Sequence, residues 1–370
     1  MLRAITIAAV SAVLLAGGAL GAERAPVRPG APQAGRAAIR PAAAQAGRTP
    51  PHQDAARPGP APVRLGVVLN ALDNPFWLAI YDGARVEATG RGVPATFRAV
   101  TSNADLAGQA AQLRTLAAAG QDCYAVGPIT ATGLVTALRG VTRPIVVINS
   151  PVDATAARRA GVRLSTYIGT DDFAAGRLAG ARMAALLPGG GEVAVLGGWA
   201  GNINSELRLG GFERGIQGSR VRVVAQANAD YDRTTAEIAA DRMLSANPHL
   251  SGFFAANDLM ALGIADSVGA AGRTGQVKII GLDGIAEALD AVQAGLISAT
   301  VSQYPYVMGQ MAVEACAAAA RGARLPARVD APIALLTKGN VTAAIAAFPR
   351  PVQGYSDPFS RLLASEAVRR

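Results

Sequence analysis

From Val63 onward the chain alternates short runs of apolar, often β-branched residues with longer stretches in which apolar residues recur every three or four positions. The short runs predict strands at 63–69, 95–100, 122–127, 144–149, 191–197, 220–226, 251–256, 276–281 and 298–302. Near-continuous apolar strands suit burial on both faces, and helical stretches between them suit crossover helices. The pattern therefore predicts α/β architecture with parallel sheets covered by helices. Nine strands exceed one comfortable doubly wound sheet, so a split into two similar domains is the economical solution.

Local signals sharpen several elements. A helix over 104–119 carries Leu106, Ala110, Leu113, Leu116 and Ala117 at helical spacing and stops at Gly120, a C-cap residue. Tyr167 to Thr170 reads as a short extended piece, and the first passage between domains is placed there. Asp171 and Asp172 then cap a helix continuing to Leu187. The stretch Val63 to Gly83 is the most informative. Its apolar run leads into Asn74, an N-cap, and Pro75, which loses no hydrogen bond at the first helical position. Phe76 and Trp77 are thereby set in the first turn of a helix beyond the carboxyl end of a parallel strand, the edge where open α/β sheets bind ligands.

The first 62 residues differ in kind. Residues 1–22 show Arg3, an apolar stretch from Ala4 to Leu20, then Gly21 and Ala22, the form of a secretory signal peptide cleaved near Gly21 and Ala22. The run is short for a membrane span and is broken by Gly17 and Gly18. No cysteine lies nearby to carry a lipid. Residues 23–62 are Ala, Pro, Gly, Gln and Arg with almost no large apolar side chain, which predicts a disordered linker. Six arginines against Glu23 and Asp54 put +4 of the net charge of +9 in this linker, and Arg3 adds one more. Basicity is thus largely a property of the N-terminal segment, and nucleic acid is not an expected partner.

Two cysteines, Cys123 in a strand and Cys316 in an Ala-rich helix, read as small core residues, with pairing left open because sequence does not give their separation. The strand ends gather polar side chains: Asn70 and Asn74, Asn149 and Ser150, Asn257 and Asp258, and Asp283. Arg208 and Tyr231 fall in or near other strand-to-helix connections, and Gln303 follows the last strong strand. Amides, one arginine, carboxylates and aromatic rings suit a polyhydroxylated ligand, although Asn and Asp at these positions are also ordinary helix caps. An enzyme is disfavoured. The sequence has no nucleophile elbow, Walker loop or zincin signature, and its two histidines are His52 in the linker and His249 before a strand. Gly197-Gly198-Trp199-Ala200-Gly201 has the wrong spacing for a dinucleotide loop, and Trp199 would crowd a pyrophosphate. No cofactor or metal is expected.

From Val63 to about Thr337 the chain resembles the type I periplasmic sugar-binding proteins of ABC transporters, closest to the ribose-binding branch. The resemblance rests on Asn74 to Trp77, Arg208 with Gly211-Phe212, Ala229 to Arg233, Phe254 to Gly263, Ile280 to Gly284 and Ala299 to Gln303. It implies two Rossmann-like lobes joined by a three-strand hinge. The implied lobes are 63–169 with 304–333, and 170–303 with 334–348, followed by a tail at 349–370. By position, Phe76, Trp77 and Tyr231 resemble the rings that sandwich the sugar. Asn74, Arg208, Asn257, Asp283 and Gln303 resemble its hydrogen-bonding partners, with Asn149 and Ser150 at the remaining strand exit.

The departures also carry information. Gly127-Pro128 stands where the ribose branch has Asn before Pro, and Asn149-Ser150 where it has Asp-Arg. An acidic acceptor and its basic neighbour are missing, which predicts a ligand other than ribose. The implied protein is a periplasmic monomer that closes around a small neutral sugar or polyol and presents it to an inner-membrane ABC permease. A ligand sensor docking on a histidine kinase or chemoreceptor is the alternative.

Overall fold

The computed structural model describes residues 62–368. The expected signal peptide at 1–22 and residues 23–61 of the expected linker lie outside the described residues. The first sheet takes β1 (Leu65–Leu69), β2 (Ala95–Ala99), β3 (Cys123–Val126), β4 (Ile145–Ile148) and β5 (Thr166–Gly169), with α1 (Pro75–Gly90), α2 (Leu106–Ala118) and α3 (Ala154–Arg159) between them. Each of these strands pairs parallel with its neighbours.

The chain then leaves this sheet and builds another. Its elements are α4 (Asp172–Leu186), β6 (Gly191–Gly197), α5 (Ile203–Ile216), β7 (Val221–Asn228), α6 (Arg233–Ala246), β8 (Leu250–Ala255), α7 (Asp258–Ala270), β9 (Lys278–Asp283), α8 (Ala286–Ala294) and β10 (Ala299–Ser302). After β10 it returns through α9 (Pro305–Ala320) and β11 (Arg328–Asp330), which pairs with β5. It crosses once more into β12 (Ala334–Thr337), antiparallel to β10, and ends in α10 (Val341–Ala347) and α11 (Pro358–Val368). The two six-stranded sheets have orders β11-β5-β4-β3-β1-β2 and β12-β10-β9-β8-β6-β7. Three short segments, after β5, β10 and β11, carry the chain between them.

All nine expected strands form, within a few residues of their expected bounds. The fully apolar ones, such as β1, β3 and β4, are buried along their whole length, as parallel strands covered on both faces must be. The extended piece expected at Tyr167 to Thr170 is β5, and the strands not expected from sequence are β11 and β12, of three and four residues, which are only partly buried. The expected helix 104–119 is α2, entered through the Asp105 cap and left through Gly120 at positive φ. Asp171 caps α4, its carboxylate accepting from the Ala174 amide at 2.9 Å.

Helices α4 and α5 pack with their backbones nearly touching. A Cβ added at Gly176, Gly180, Gly211 or Gly215 would meet the backbone of the opposite helix, so glycine is required at each. The Gly176 contact falls on the backbone of Arg208 and fixes that residue relative to Asp172 at the start of α4.

The open question of cysteine pairing is settled, and one expectation changes. Cys123 and Cys316 are fully buried core residues, as expected, and they are not left as free thiols. They form a disulfide with Cα atoms 5.5 Å apart, linking β3 to α9 across 193 residues of sequence. The sequence hid this because α9 returns to the first sheet only after the second is complete. Nor are residues 349–370 simply a tail: Phe359 of α11 is fully buried in the core that contains β1, α1 and α9.

A cross-link across so long a loop removes much unfolded-state entropy, with an upper value of about 5 kcal/mol and a typical range of roughly 2–5. Replacing both cysteines by alanine should lower unfolding stability by about that range in urea titration. An unchanged midpoint and slope would show that the bond constrains nothing the fold does not already hold.

Candidate functional site

The carboxyl ends of strands from both sheets face one another across a cleft of about 450 Å3, part of it continuous with solvent. Of the expected site residues, Asn74, Phe76, Trp77, Asn149, Ser150, Arg208, Tyr231, Asn257 and Asp283 line it. Gln303 does not. It is fully buried behind the wall, where its amide donates to Asp283 at 2.7 Å and its oxygen accepts from Arg208 at 3.1 Å. Gln303 thus positions its neighbours from the second inter-sheet segment.

Each side of the cleft carries an aromatic pair. Phe76 and Trp77 meet edge to face with ring centroids 5.6 Å apart, and Trp199 and Tyr231 do the same at 5.1 Å. Glycines at the strand exits seat the rings. A Cβ at Gly127 would lie 2.6 Å from the Trp77 indole, and one at Gly198 would collide with the Tyr231 ring. Gly127 is therefore the reason Trp77 can lie against the end of β3.

Behind the rings lies a buried charge network. The Arg208 guanidinium, carried on the second turn of α5, donates to Asp172 at 2.7 Å, to the Ala256 carbonyl at 2.7 Å and to Gln303, and lies 3.7 Å from Asp283. Burial is the largest influence and opposes its charge, yet its neighbours Asp172, Tyr231 and Asp283 together more than offset this and raise its pKa. Burial pushes Asp283 well above the usual carboxylate range, against the pull of Arg208 and with the added push of Asp258. Asp258, fully buried, is pushed up to about 6 by burial, although it accepts from Thr300 Oγ1 at 2.6 Å and from the Gly284 and Ile285 amides. The charged residues on the cleft wall are Arg208 and Asp283, and they face each other. No uncompensated charge among the described residues awaits an ionic ligand there.

Amides dominate the remaining wall, which carries seven asparagines: residues 70, 74, 103, 149, 202, 204 and 257. Asn74, Asn202 and Asn257 are N-caps whose Oδ1 accepts from the amides of Phe76, Ser205 and Met260. In Asn74 and Asn202 the capping leaves Nδ2 as a donor without a protein partner. Capping and ligand recognition are thus compatible uses of one side chain. Asn149 is the converse case: its Oδ1 is buried and has no hydrogen-bond partner. A buried acceptor without a donor costs about 1–3 kcal/mol, a deficit that a ligand hydroxyl can remove.

Backbone strain collects at the same place. The non-glycine residues at positive φ among the described residues are Asn149, Asp230, Tyr231, Asp283 and Tyr304. Three of them line the cleft, and Tyr304 follows Gln303 in the inter-sheet segment. Such conformations cost roughly 1–3 kcal/mol each and persist where surrounding structure imposes them, commonly at binding sites.

Sequence reasoning missed Asn103, Trp199, Asn202 and Asn204. A signal was present. Trp199 and Asn202 occupy the exit of β6, the same place relative to the second sheet that Asn74 to Trp77 occupy relative to the first. Asn204 reaches across and donates to the Asn149 carbonyl at 3.3 Å, which also accepts from the Tyr167 hydroxyl at 2.5 Å.

Comparison with known proteins identifies the family. The family model described as a periplasmic binding protein domain matches residues 65–324. The D-allose-binding periplasmic protein of Escherichia coli is 34% identical over 67% of this chain and 82% of its own length. The ribose import binding protein of Bacillus subtilis is 28% identical over 74% of this chain and 87% of its own. Among solved structures, an ABC transporter periplasmic solute binding protein from Actinobacillus succinogenes with bound D-allose superposes with TM-score 0.72 at 25% identity. That match covers 76% of this chain and 99% of the other. A Bacillus halodurans solute binding protein with bound myo-inositol gives 0.71 at 25% identity, covering 78% and 99%. The chain belongs to the periplasmic binding protein family, with the type I fold of two α/β lobes.

The titration of Asp258 gives a stability prediction. Its folded pKa of about 6 lies above the ordinary 3.8, so folding takes up a proton between these values. The stabilisation is complete below the unfolded pKa and is lost as pH rises through about 6. Asp258→Asn mimics the neutral form, its oxygen accepting from the two amides and its nitrogen donating to Thr300. Melting temperatures from pH 4 to 8 should fall with rising pH in the native protein and less steeply in the variant. Parallel curves would place the titration elsewhere.

Proposed function

We propose that this periplasmic binding protein captures a small neutral sugar or polyol other than ribose between its lobes and delivers it to an inner-membrane ABC permease. The observation that carries the reading is the cleft wall: an aromatic pair on each side, asparagine amides between them, and an arginine whose charge is met within the protein. Aromatic faces pack on sugar C–H groups, and amides pair with hydroxyls as donors and acceptors. The relatives named for D-allose, ribose and myo-inositol support the same class. Their naming as import or solute-binding proteins favours an importer over a sensor, and no turnover is expected.

The bodies that close are the lobes at 63–169 with 304–333 and at 170–303 with 334–348, and the three inter-sheet segments are the hinge. The ligand-binding set is Asn74, Phe76, Trp77, Asn149, Ser150, Arg208, Tyr231, Asn257 and Asp283, with Gln303 in support. Ribose is disfavoured because the Asn149-Ser150 exit lacks the acid and base of the ribose branch. A side chain at Gly127 would also displace Trp77. The protein acts as a monomer after export and removal of its N-terminal signal.

A thermal-shift screen over pentoses, hexoses, polyols and non-sugars should single out a neutral polyhydroxylated ligand. One present at a hundredfold excess over its Kd stabilises the fold by about 2.7 kcal/mol. Mass spectrometry should return that ligand unaltered. Asp283→Ala should weaken its binding by about 1–3 kcal/mol in calorimetry. A hit confined to charged or apolar compounds contradicts the reading, and an unchanged affinity removes Asp283 from the binding set.

A further inference from the structure

A second cavity adjoins the amide-lined cleft and shares five of its wall residues, Asn103, Ser150, Trp199, Asn202 and Asn204. It encloses about 790 Å3, part of it continuous with solvent. Its remaining surface is mainly apolar and comes from both lobes. Leu106, Ile129, Ala131 and Pro151 contribute from the first, and Ala200 and Ile203 from the second. Leu106 at the start of α2 and Ile203 at the start of α5 are each 41% exposed, more than large apolar side chains usually are.

We propose that this cavity is an annex of the binding cleft, and that the ligand is a sugar or polyol bearing an apolar substituent, such as an alkyl or aryl ether or glycoside. The inference rests on the sugar-binding reading of the cleft and adds the chemistry of the ligand's second part. Continuity is the first argument. The Trp199 indole lines both spaces, so a ring held in the cleft and a substituent in the annex would pack on the same side chain. Composition is the second. The cleft presents mostly amides, whereas the annex walls carry leucine, isoleucine, alanine and proline and suit a hydrocarbon or aromatic group. Closure around such a ligand would cover Leu106 and Ile203 together, one from each lobe.

The test is calorimetric titration of the intact protein with D-allose, D-ribose and myo-inositol and with the complete set of mono-O-benzyl derivatives of each. At least one derivative should bind about tenfold or more tightly than its parent, the gain expected from burying roughly 60 Å2 of apolar surface. In Ala200→Phe, which fills the annex from an exposed loop position, that gain should vanish while the parent's affinity is unchanged. Ala131→Phe fills it from the opposite lobe and should give the same result. Parents that bind while every derivative binds more weakly overturn the annex and leave the sugar-binding reading intact. Failure of all parents and derivatives to bind overturns the annex as a site for these substituted sugars, while the sugar-binding reading stands or falls with the wider thermal-shift screen. A gain that survives in both filled variants also overturns the annex, because the substituent then lies elsewhere.

Discussion

The buried guanidinium of Arg208 is the constraint around which the second lobe and the cleft are organised. Its donors reach the start of α4 through Asp172, the end of β8 through the Ala256 carbonyl, and the inter-sheet segment through Gln303. Each partner belongs to a different element, so their relative positions are fixed by one rigid planar group. Removing either member of such a pair leaves a buried charge unpaired, at a cost of about 3–5 kcal/mol. The glycine-rich contact between α4 and α5 is what brings the two backbones close enough for Arg208 to reach Asp172. A packing requirement and an electrostatic one therefore act on the same helix pair.

The cleft follows from this arrangement. Because Arg208 is met by Asp172 and Asp283, the wall offers neutral recognition, and asparagine amides supply it. Gln303 links the network to the segment that joins the sheets, since it accepts from Arg208 and donates to Asp283. The strained residues Asn149, Tyr231 and Asp283 stand at strand exits on both sides. A hydroxylated ligand that donates to Asn149 Oδ1 would satisfy a buried acceptor that no protein group meets.

Much of this was legible in the chain. The apolar runs mark strands such as β1, β3 and β4 because a parallel strand buried on both faces has no polar alternation to obscure it. Asn74, Pro75, Phe76 and Trp77 declared a capped helix with rings in its first turn, and α1 begins there. The Cys123 to Cys316 pairing was not legible, since it depends on where a helix 193 residues later returns. Gln303 was placed among ligand contacts because its position beside a strand end is local information, whereas its burial depends on Arg208 and Asp283 arriving from elsewhere. Trp199 is hard to assign from sequence because it sits in Gly197 to Gly201, a run that reads first as a poorly spaced dinucleotide loop. One of these glycines makes room for a ring, since a Cβ at Gly198 would collide with Tyr231.

The most direct measurement is a crystal structure of the protein with the sugar or polyol that stabilises it most. The account predicts a ligand ring between the Phe76–Trp77 and Trp199–Tyr231 pairs, a hydroxyl donating to Asn149 Oδ1, another bonded to Asp283, and the Arg208–Asp172 pair intact. A ligand bound outside this cleft, or one that breaks the Arg208–Asp172 pair to bind the guanidinium, would contradict it.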